Sequence, residues 1–131
     1  MVFLDTSAVI ALFNERDGNH ELAKSAFNRT LVEGEQILTH NCVVVETASL
    51  LQSRYGLAPA LEFLKRSSEF EIHWIDPDDH QAAIELLETR SRRGLSLVDC
   101  ASFVVMRRNG VEQALAFDAD FEAEGFQLYR A

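Results

Sequence analysis

The spacing of apolar positions changes repeatedly along this chain, and the alternation is the first guide to its fold. Val2-Phe3-Leu4 is a compact apolar run that stops at Asp5, the pattern of a short buried strand. Thr6 or Ser7 can cap a helix running through Ala8 to Phe13, and Gly18 breaks the pattern. Leu22, Ala23, Ala26, Phe27 and Leu31 recur at helical spacing, and Gly34 closes that helix. Gln36 to Thr39 predicts a second strand. Asn41 to Tyr55 predicts a helix despite the β-branched Val43-Val44-Val45, because Ala48, Leu50 and Leu51 continue its apolar face. Gly56 ends it, and Ala58 to Ser67 forms another around Leu61, Phe63 and Leu64. Phe70 to Ile75 reads as a third strand. Pro77 suits the first turn of the following helix, which carries Ala83, Ile84, Leu86 and Leu87 and ends by Gly94. Ser96 or Leu97 opens a helix holding Ala101, Val104 and Val105, stopped by Gly110. Ala114 to Phe117 and Phe126 to Tyr129 predict the last two strands, with a short helix starting near Asp118 and Asp120.

Short strands alternating with helices imply an α/β fold, a three-layer α/β/α arrangement around a short, mainly parallel sheet of about five strands. A length of 131 residues implies a single domain over residues 1–131, large enough for a core without staples. No stretch approaches the roughly 20 apolar residues that span a bilayer. Asp5 cuts the leading apolar run short and no basic region precedes it, so no signal peptide is expected and the cytoplasm is the default location. Cys42 and Cys100 sit in apolar helical settings without metal-binding spacing, which favours free core thiols. His20, His40, His73 and His80 are scattered, and are expected at the surface or at strand ends rather than as ligands.

Charge sharpens the picture. A net charge of −9 argues against passive binding to nucleic acid, whose phosphates are held by cations. Two basic groups stand out, Arg90-Ser91-Arg92-Arg93 and Arg107-Arg108; they could meet a polyanion or simply complement helix C-termini. The acids are more distinctive. Asp5 ends the first strand, Glu46 lies within Val43-Val44-Val45-Glu46, Asp99 within Leu97-Val98-Asp99-Cys100, and Asp118 and Asp120 follow Leu115-Ala116-Phe117. An ionised carboxylate is costly to bury without compensation. Val43, Val45 and Leu50 imply that the surroundings of Glu46 are largely buried. Each acid has an ordinary alternative: Asp5 as a helix cap, Glu46 as a partly exposed helical glutamate, Asp99 paired with Ser96 in a capping box, Asp118 and Asp120 as charges at a helix start. Asp5 and Asp118 follow strands, however, and parallel sheets bind ligands beyond the carboxyl ends of their strands. Oxygen donors in number, without histidine or cysteine among them, select Mg2+ or Mn2+.

Asp5-Thr6-Ser7 after a leading strand, the helical Val44-Val45-Glu46, Leu95-Ser96-Leu97-Val98-Asp99, and Ala116-Phe117-Asp118-Ala119-Asp120-Phe121 occur in an order that resembles the PIN-domain nucleases. Size and spacing look like the single-domain VapC-type toxins of toxin–antitoxin pairs. The resemblance implies that Asp5, Glu46, Asp99 and Asp118 match the family's acidic quartet, that Asp120 matches a further acid of many members, and that Thr6, Ser7 and Ser96 are supporting polar residues. It implies a Mg2+-dependent endoribonuclease in which Asp5, Asp99 and Asp118 hold the metal directly or through water and Glu46 ligates or orients the attacking water. In-line attack by that water would leave 5′-phosphate and 3′-hydroxyl ends, and single-stranded or loop RNA is the expected substrate. A small antitoxin and a homodimer are the implied partners, with apolar surface for them among Phe13, Leu50, Leu51, Tyr55, Leu57, Phe63 and Leu64. Other phosphoryl-transfer folds fit poorly: position 7 is Ser7 where a haloacid-dehalogenase-like phosphatase wants aspartate, and a receiver domain wants an acidic pair where Asp5 stands alone. A PIN-like module that binds protein without cleaving, and a nuclease acting on DNA, remain the alternatives.

Overall fold

The computed structural model describes residues 1–130, so Ala131, the last residue of the expected domain, lies outside them. The chain runs β1 (Val2–Leu4), α1 (Thr6–Phe13), α2 (His20–Glu33), β2 (Ile37–His40), α3 (Asn41–Tyr55), α4 (Leu57–Ser67) and β3 (Glu71–His73). It continues through α5 (Pro77–Arg90), α6 (Leu97–Arg108), β4 (Gln113–Leu115), α7 (Asp120–Ala123) and β5 (Gln127–Leu128). The strands form one five-stranded sheet in the order β3-β2-β1-β4-β5, every pair parallel. Central β1 pairs on both sides, Phe3 opposite Leu38 on β2 and opposite Ala114 on β4.

Successive strand side chains point to opposite faces, so a strand covered on both sides must be apolar throughout. In β1, Val2 and Leu4 enter one core with Val9, Ala26, Leu51, Phe63 and Tyr129, beneath α1 to α4. Phe3 enters the other, with Cys100, Phe103, Val105, Met106 and Phe121, beneath α5 to α7. The expected three layers are therefore present. Helix α6 is the most deeply set: every residue from Cys100 to Met106 is buried, which places the Cys100 thiol in the core as anticipated. Gly34 ends α2 in the left-handed conformation, at φ 64°, that glycine adopts without penalty.

Several boundaries differ from the sequence expectation, for reasons of hydrogen bonding. Asp5, not Thr6 or Ser7, caps α1, because its carboxylate accepts the Ser7 N–H. The fourth strand stops at Leu115 rather than Phe117, since the Phe117 N–H donates to the Ser7 hydroxyl at 2.9 Å instead of to the sheet. The third strand contracts to Glu71–His73: the Ile75 N–H turns to the Asn41 side chain at 2.7 Å. The histidines at strand ends behave as structure. His40 is fully buried, accepting from the Val43 N–H through Nδ1 and lying 2.9 Å from the Ser102 hydroxyl through Nε2. Burial, with the nearby His73, lowers its pKa to about 4, so it stays neutral at ordinary pH.

Helix α7 is short, and its anchor is Phe121, fully buried with its ring 5.1 Å from that of Phe103 in an edge-on arrangement. Phe121→Ala is expected to lower the unfolding free energy by about 3–5 kcal/mol, as large-to-small changes at buried aromatics do. A urea denaturation midpoint within error of the wild type would contradict this placement.

Candidate metal centre

In a parallel sheet the ligand crevice forms where the strand order reverses. Here that point lies between β1 and β4: the chain leaves β1 toward β2 on one side, and later returns to lay β4 on the other. Asp5 follows β1 and Asp118 follows β4, so both carboxylates stand at this crevice. A cleft of about 460 Å³ opens there, lined by Asp5, Thr6, Ser7, Glu46, Ser96, Asp99 and Asp118 together with Ile10, Asp17, Asn19, Leu50, Arg54 and Phe117. Four acids predicted from separate parts of the sequence thus share one cavity.

The local bonds show how each carboxylate can serve the backbone and still face the cleft. Asp5, only 6% exposed, uses Oδ2 to accept from the Ser7 N–H at 3.1 Å and the Ser7 hydroxyl at 2.6 Å. The Ser7 oxygen accepts in turn from the Phe117 N–H, coupling the end of β1 to the segment that carries Asp118. Asp99 and Ser96 form a capping box at the start of α6: Asp99 Oδ2 accepts from the Ser96 N–H at 3.1 Å, and Ser96 Oγ accepts from the Asp99 N–H at 3.0 Å. Asp118 Oδ1 accepts from the Asp120 N–H at 2.9 Å. In Asp5 and Asp99, Oδ2 makes these bonds while Oδ1 has no hydrogen-bond partner among the described residues. The capping readings were correct, and they do not compete with a ligand role.

Ligand-capable oxygens of Asp99, Asp118 and Asp120 lie within 4.8 Å of one another. Asp5 and Glu46 stand outside this tight group but line the same cleft. Asp120 is the reverse case: it belongs to the group, does not line the cleft, and pairs with Arg92 at 3.2 Å. Asp99 and Asp118 are common to both sets and form the centre of the site. One expectation needs correction. Glu46 is exposed rather than buried, because Val45 beside it is 64% exposed and the apolar face of α3 turns the other way. Thr6 lines the cleft but directs its hydroxyl to Thr47, at 2.8 Å in a buried pair that fastens α1 to α3.

Electrostatics mark this crevice as short of positive charge. Burial raises the Asp5 pKa from 3.8 to about 6; the Ser7 bonds oppose the rise, and the charges of Asp99 and Asp118 add to it. Burial likewise raises Asp99, with Asp118 reinforcing it against the Ser96 bonds, and raises Glu46 with help from Asp99. Asp120 is raised by burial and by Asp118, while Arg92 pulls the other way. Carboxylates held together and pushed toward protonation, all oxygen donors, fit a hard divalent cation of the Mg2+ or Mn2+ class. Asp99 and Asp118, with Asp5 or Asp120, are the residues that would hold it.

Of the two arginine groups, Arg92 alone pairs with one of these acids, Asp120, among the described residues. Arg90 and Arg107 both bind Glu124, at 3.1 and 2.8 Å, and through Arg90 first they lower its pKa to about 2. Arg108 pairs with buried Asp79, and Arg92 with Asp120. Arg54 lines the cleft and was not singled out from the sequence, although it stands eight residues, two helical repeats of four, beyond Glu46. Asp17 and Asn19 were also missed; they lie in an irregular loop whose sequence has no periodicity to read.

The PIN domain profile matches residues 2–126. This chain belongs to the PIN-domain family. Among PIN-domain relatives it is 37% identical, over 128 residues, to the 23S rRNA-specific endonuclease VapC20 of Mycobacterium tuberculosis, a match covering 96% of this chain and 95% of that one. The crystal structure of M. tuberculosis VapC20, described as a Sarcin-Ricin loop cleaving toxin, superposes with a TM-score of 0.86 at 34% identity and covers 100% of both chains. VapBC2 from Rickettsia felis, solved with a DNA fragment from its promoter, shares the fold: TM-score 0.70, 15% identity, 98% of this chain and 97% of that one.

The elevated Asp5 pKa has a measurable sign. Between its ordinary 3.8 and about 6 the folded protein retains a proton that the unfolded chain has released. This group alone should therefore lower the stability of the metal-free protein by about 3 kcal/mol as pH rises through that window, while His40, held neutral, adds stability over much of the same range. Asp5→Asn, which keeps a capping oxygen, is expected to be more stable than wild type at pH 8 in EDTA, with an advantage that grows as pH rises through the window. Thermal melts of both proteins from pH 4 to 8 read this as a difference, in which the opposite contribution of His40 cancels; a gap between variant and wild type that does not widen in the variant's favour as pH rises would refute it.

Proposed function

We propose that this chain is a Mg2+-dependent endoribonuclease, the toxin of a type II toxin–antitoxin pair, forming one PIN domain over residues 1–131. The observation that carries the reading is the acid-lined crevice between β1 and β4, where Asp5, Glu46, Asp99 and Asp118 converge. The 37% identity to a 23S rRNA-specific endonuclease supports RNA as substrate, and a ribosomal RNA loop as the form in which bases splay open to be read. The relatives solved as toxin–antitoxin assemblies, one of them from Klebsiella pneumoniae, support an antitoxin partner.

A bound divalent cation supplies charge neutralisation at the scissile phosphate and a more acidic water. The chain's own residues do the rest. Asp99 and Asp118, with Asp5 or Asp120, position the cation. Ser96 and Ser7 fix the orientation of Asp99 and Asp5 through the bonds described above. Glu46, exposed at the cleft and raised in pKa by burial and by Asp99, is suited to orient the attacking water and accept its proton on a carboxylate oxygen. Attack by water leaves the 2′-hydroxyl unused and yields 5′-phosphate and 3′-hydroxyl ends.

For partners, Leu51 and Phe63 are core and unavailable, while Tyr55, Leu57 and Leu64 are exposed along the end of α3 and on α4. They are apolar surface for the antitoxin or a second copy in a cytoplasmic homodimer.

Paired RNA and DNA oligonucleotides, incubated with the purified chain in Mg2+ or EDTA, test the proposal. RNA cleavage only with Mg2+, leaving 5′-phosphate ends, is expected. Asp118→Asn and Asp99→Asn should each lose at least the roughly 10–100-fold that removing even an outer-shell partner of a metal ligand costs, and Ser7→Ala about that much. Cleavage of DNA alone, or equal RNA cleavage in EDTA, would overturn the reading.

A further inference from the structure

We propose that Arg54 is a substrate-positioning residue, holding a phosphate of the RNA strand beside the one that is cut. The inference rests on the ribonuclease reading and deepens it. Glu46, Leu50 and Arg54 recur every four residues along α3 and all line the cleft, so one stripe of that helix forms its wall. Eight residues of helix rise by about 12 Å, which separates Arg54 from the acids by more than a hydrogen bond and places it along the path of the strand leaving them.

Charge makes the position informative. The chain carries −9, and the cleft wall otherwise presents Asp5, Asp17, Glu46, Asp99 and Asp118. A polyanion entering there meets repulsion that a cation bound among the acids offsets only locally. Arg54 is the one Lys or Arg in the cleft lining. Most other arginines are already engaged: Arg29 with Glu33, Arg66 with Glu62, Arg90 and Arg107 with Glu124, Arg92 with Asp120, Arg108 with Asp79, and Arg130 with backbone carbonyls. Arg54 has no ion pair or side-chain hydrogen bond among the described residues, and it is exposed. A guanidinium in that state is free to make the two parallel bonds to phosphate oxygens that its planar geometry favours. Its place in the last turn of α3 also complements the helix dipole. That role would stabilise the helix without touching RNA, so the two are separable.

The test uses the RNA oligonucleotide that the wild type cleaves, with Arg54→Ala and Arg54→Lys measured from 50 to 200 mM salt. Arg54→Ala should raise KM about tenfold, hold kcat within about threefold, and shrink the log–log salt slope of RNA affinity by about 0.7–1. Arg54→Lys should restore the slope but only part of KM. Thermal melts and Mn2+ calorimetry should match the wild type for both variants. Unchanged KM and slope in a folded Arg54→Ala, with the wild type active, would remove Arg54 from substrate binding and leave the ribonuclease reading intact. Loss of Mn2+ binding together with kcat would also overturn the inference, by placing Arg54 in the metal centre instead. A wild type that neither cleaves nor binds RNA would bring down the ribonuclease reading, and this inference with it.

Discussion

Burial of carboxylates side by side at the carboxyl ends of β1 and β4 is the constraint around which this molecule is arranged. Burial raises Asp5 and Asp99 above the usual carboxylate range, and the charge of Asp118 beside them adds repulsion. A free-standing chain would relieve that repulsion by moving the side chains apart. Here they are held by backbone groups: the Ser7 N–H in the first turn of α1, the Ser96 N–H just before α6 and the N–H that opens α7. Each helix start thus binds one oxygen of an acid and holds the other toward the crevice.

The Ser7 hydroxyl is the joint between the two halves of the site. It donates to Asp5 and accepts from the Phe117 N–H, so the turn after β1 and the turn after β4 move as one. Behind it, the parallel register of Phe3 with Ala114 and the buried Phe121 fix how far apart those turns can be. Packing in the two cores therefore sets the spacing of the acids, and the acids set what can be bound.

A protein with 12 basic and 21 acidic side chains has few cations to divide. Four arginines near the ends of α5 and α6 are committed to Glu124, Asp79 and Asp120, where they neutralise acids that the fold has buried or crowded. They tie together the α5–α6–α7 side of the sheet. The cleft is left strongly negative, which suits selective uptake of a divalent ion and leaves Arg54 as its lining cation.

Much of this was legible in order along the chain. Helix and strand periods, glycine stops and the acids beside apolar runs are local properties, so the α/β alternation, the α1 to α6 helices and Asp5, Glu46, Asp99 and Asp118 could be read from sequence. The resemblance of the four motifs to PIN-domain nucleases rested on the same local signals, and the family match bears it out. Tertiary structure alone decided what each group meets. That Glu46 is exposed, that Asp120 faces Arg92, that Thr6 bonds Thr47, and that Arg107 serves Glu124 rather than RNA all depend on residues far away in the chain. Strand ends moved for the same reason, because a backbone N–H such as that of Phe117 takes the nearest acceptor in space, and sequence spacing does not show which one that is.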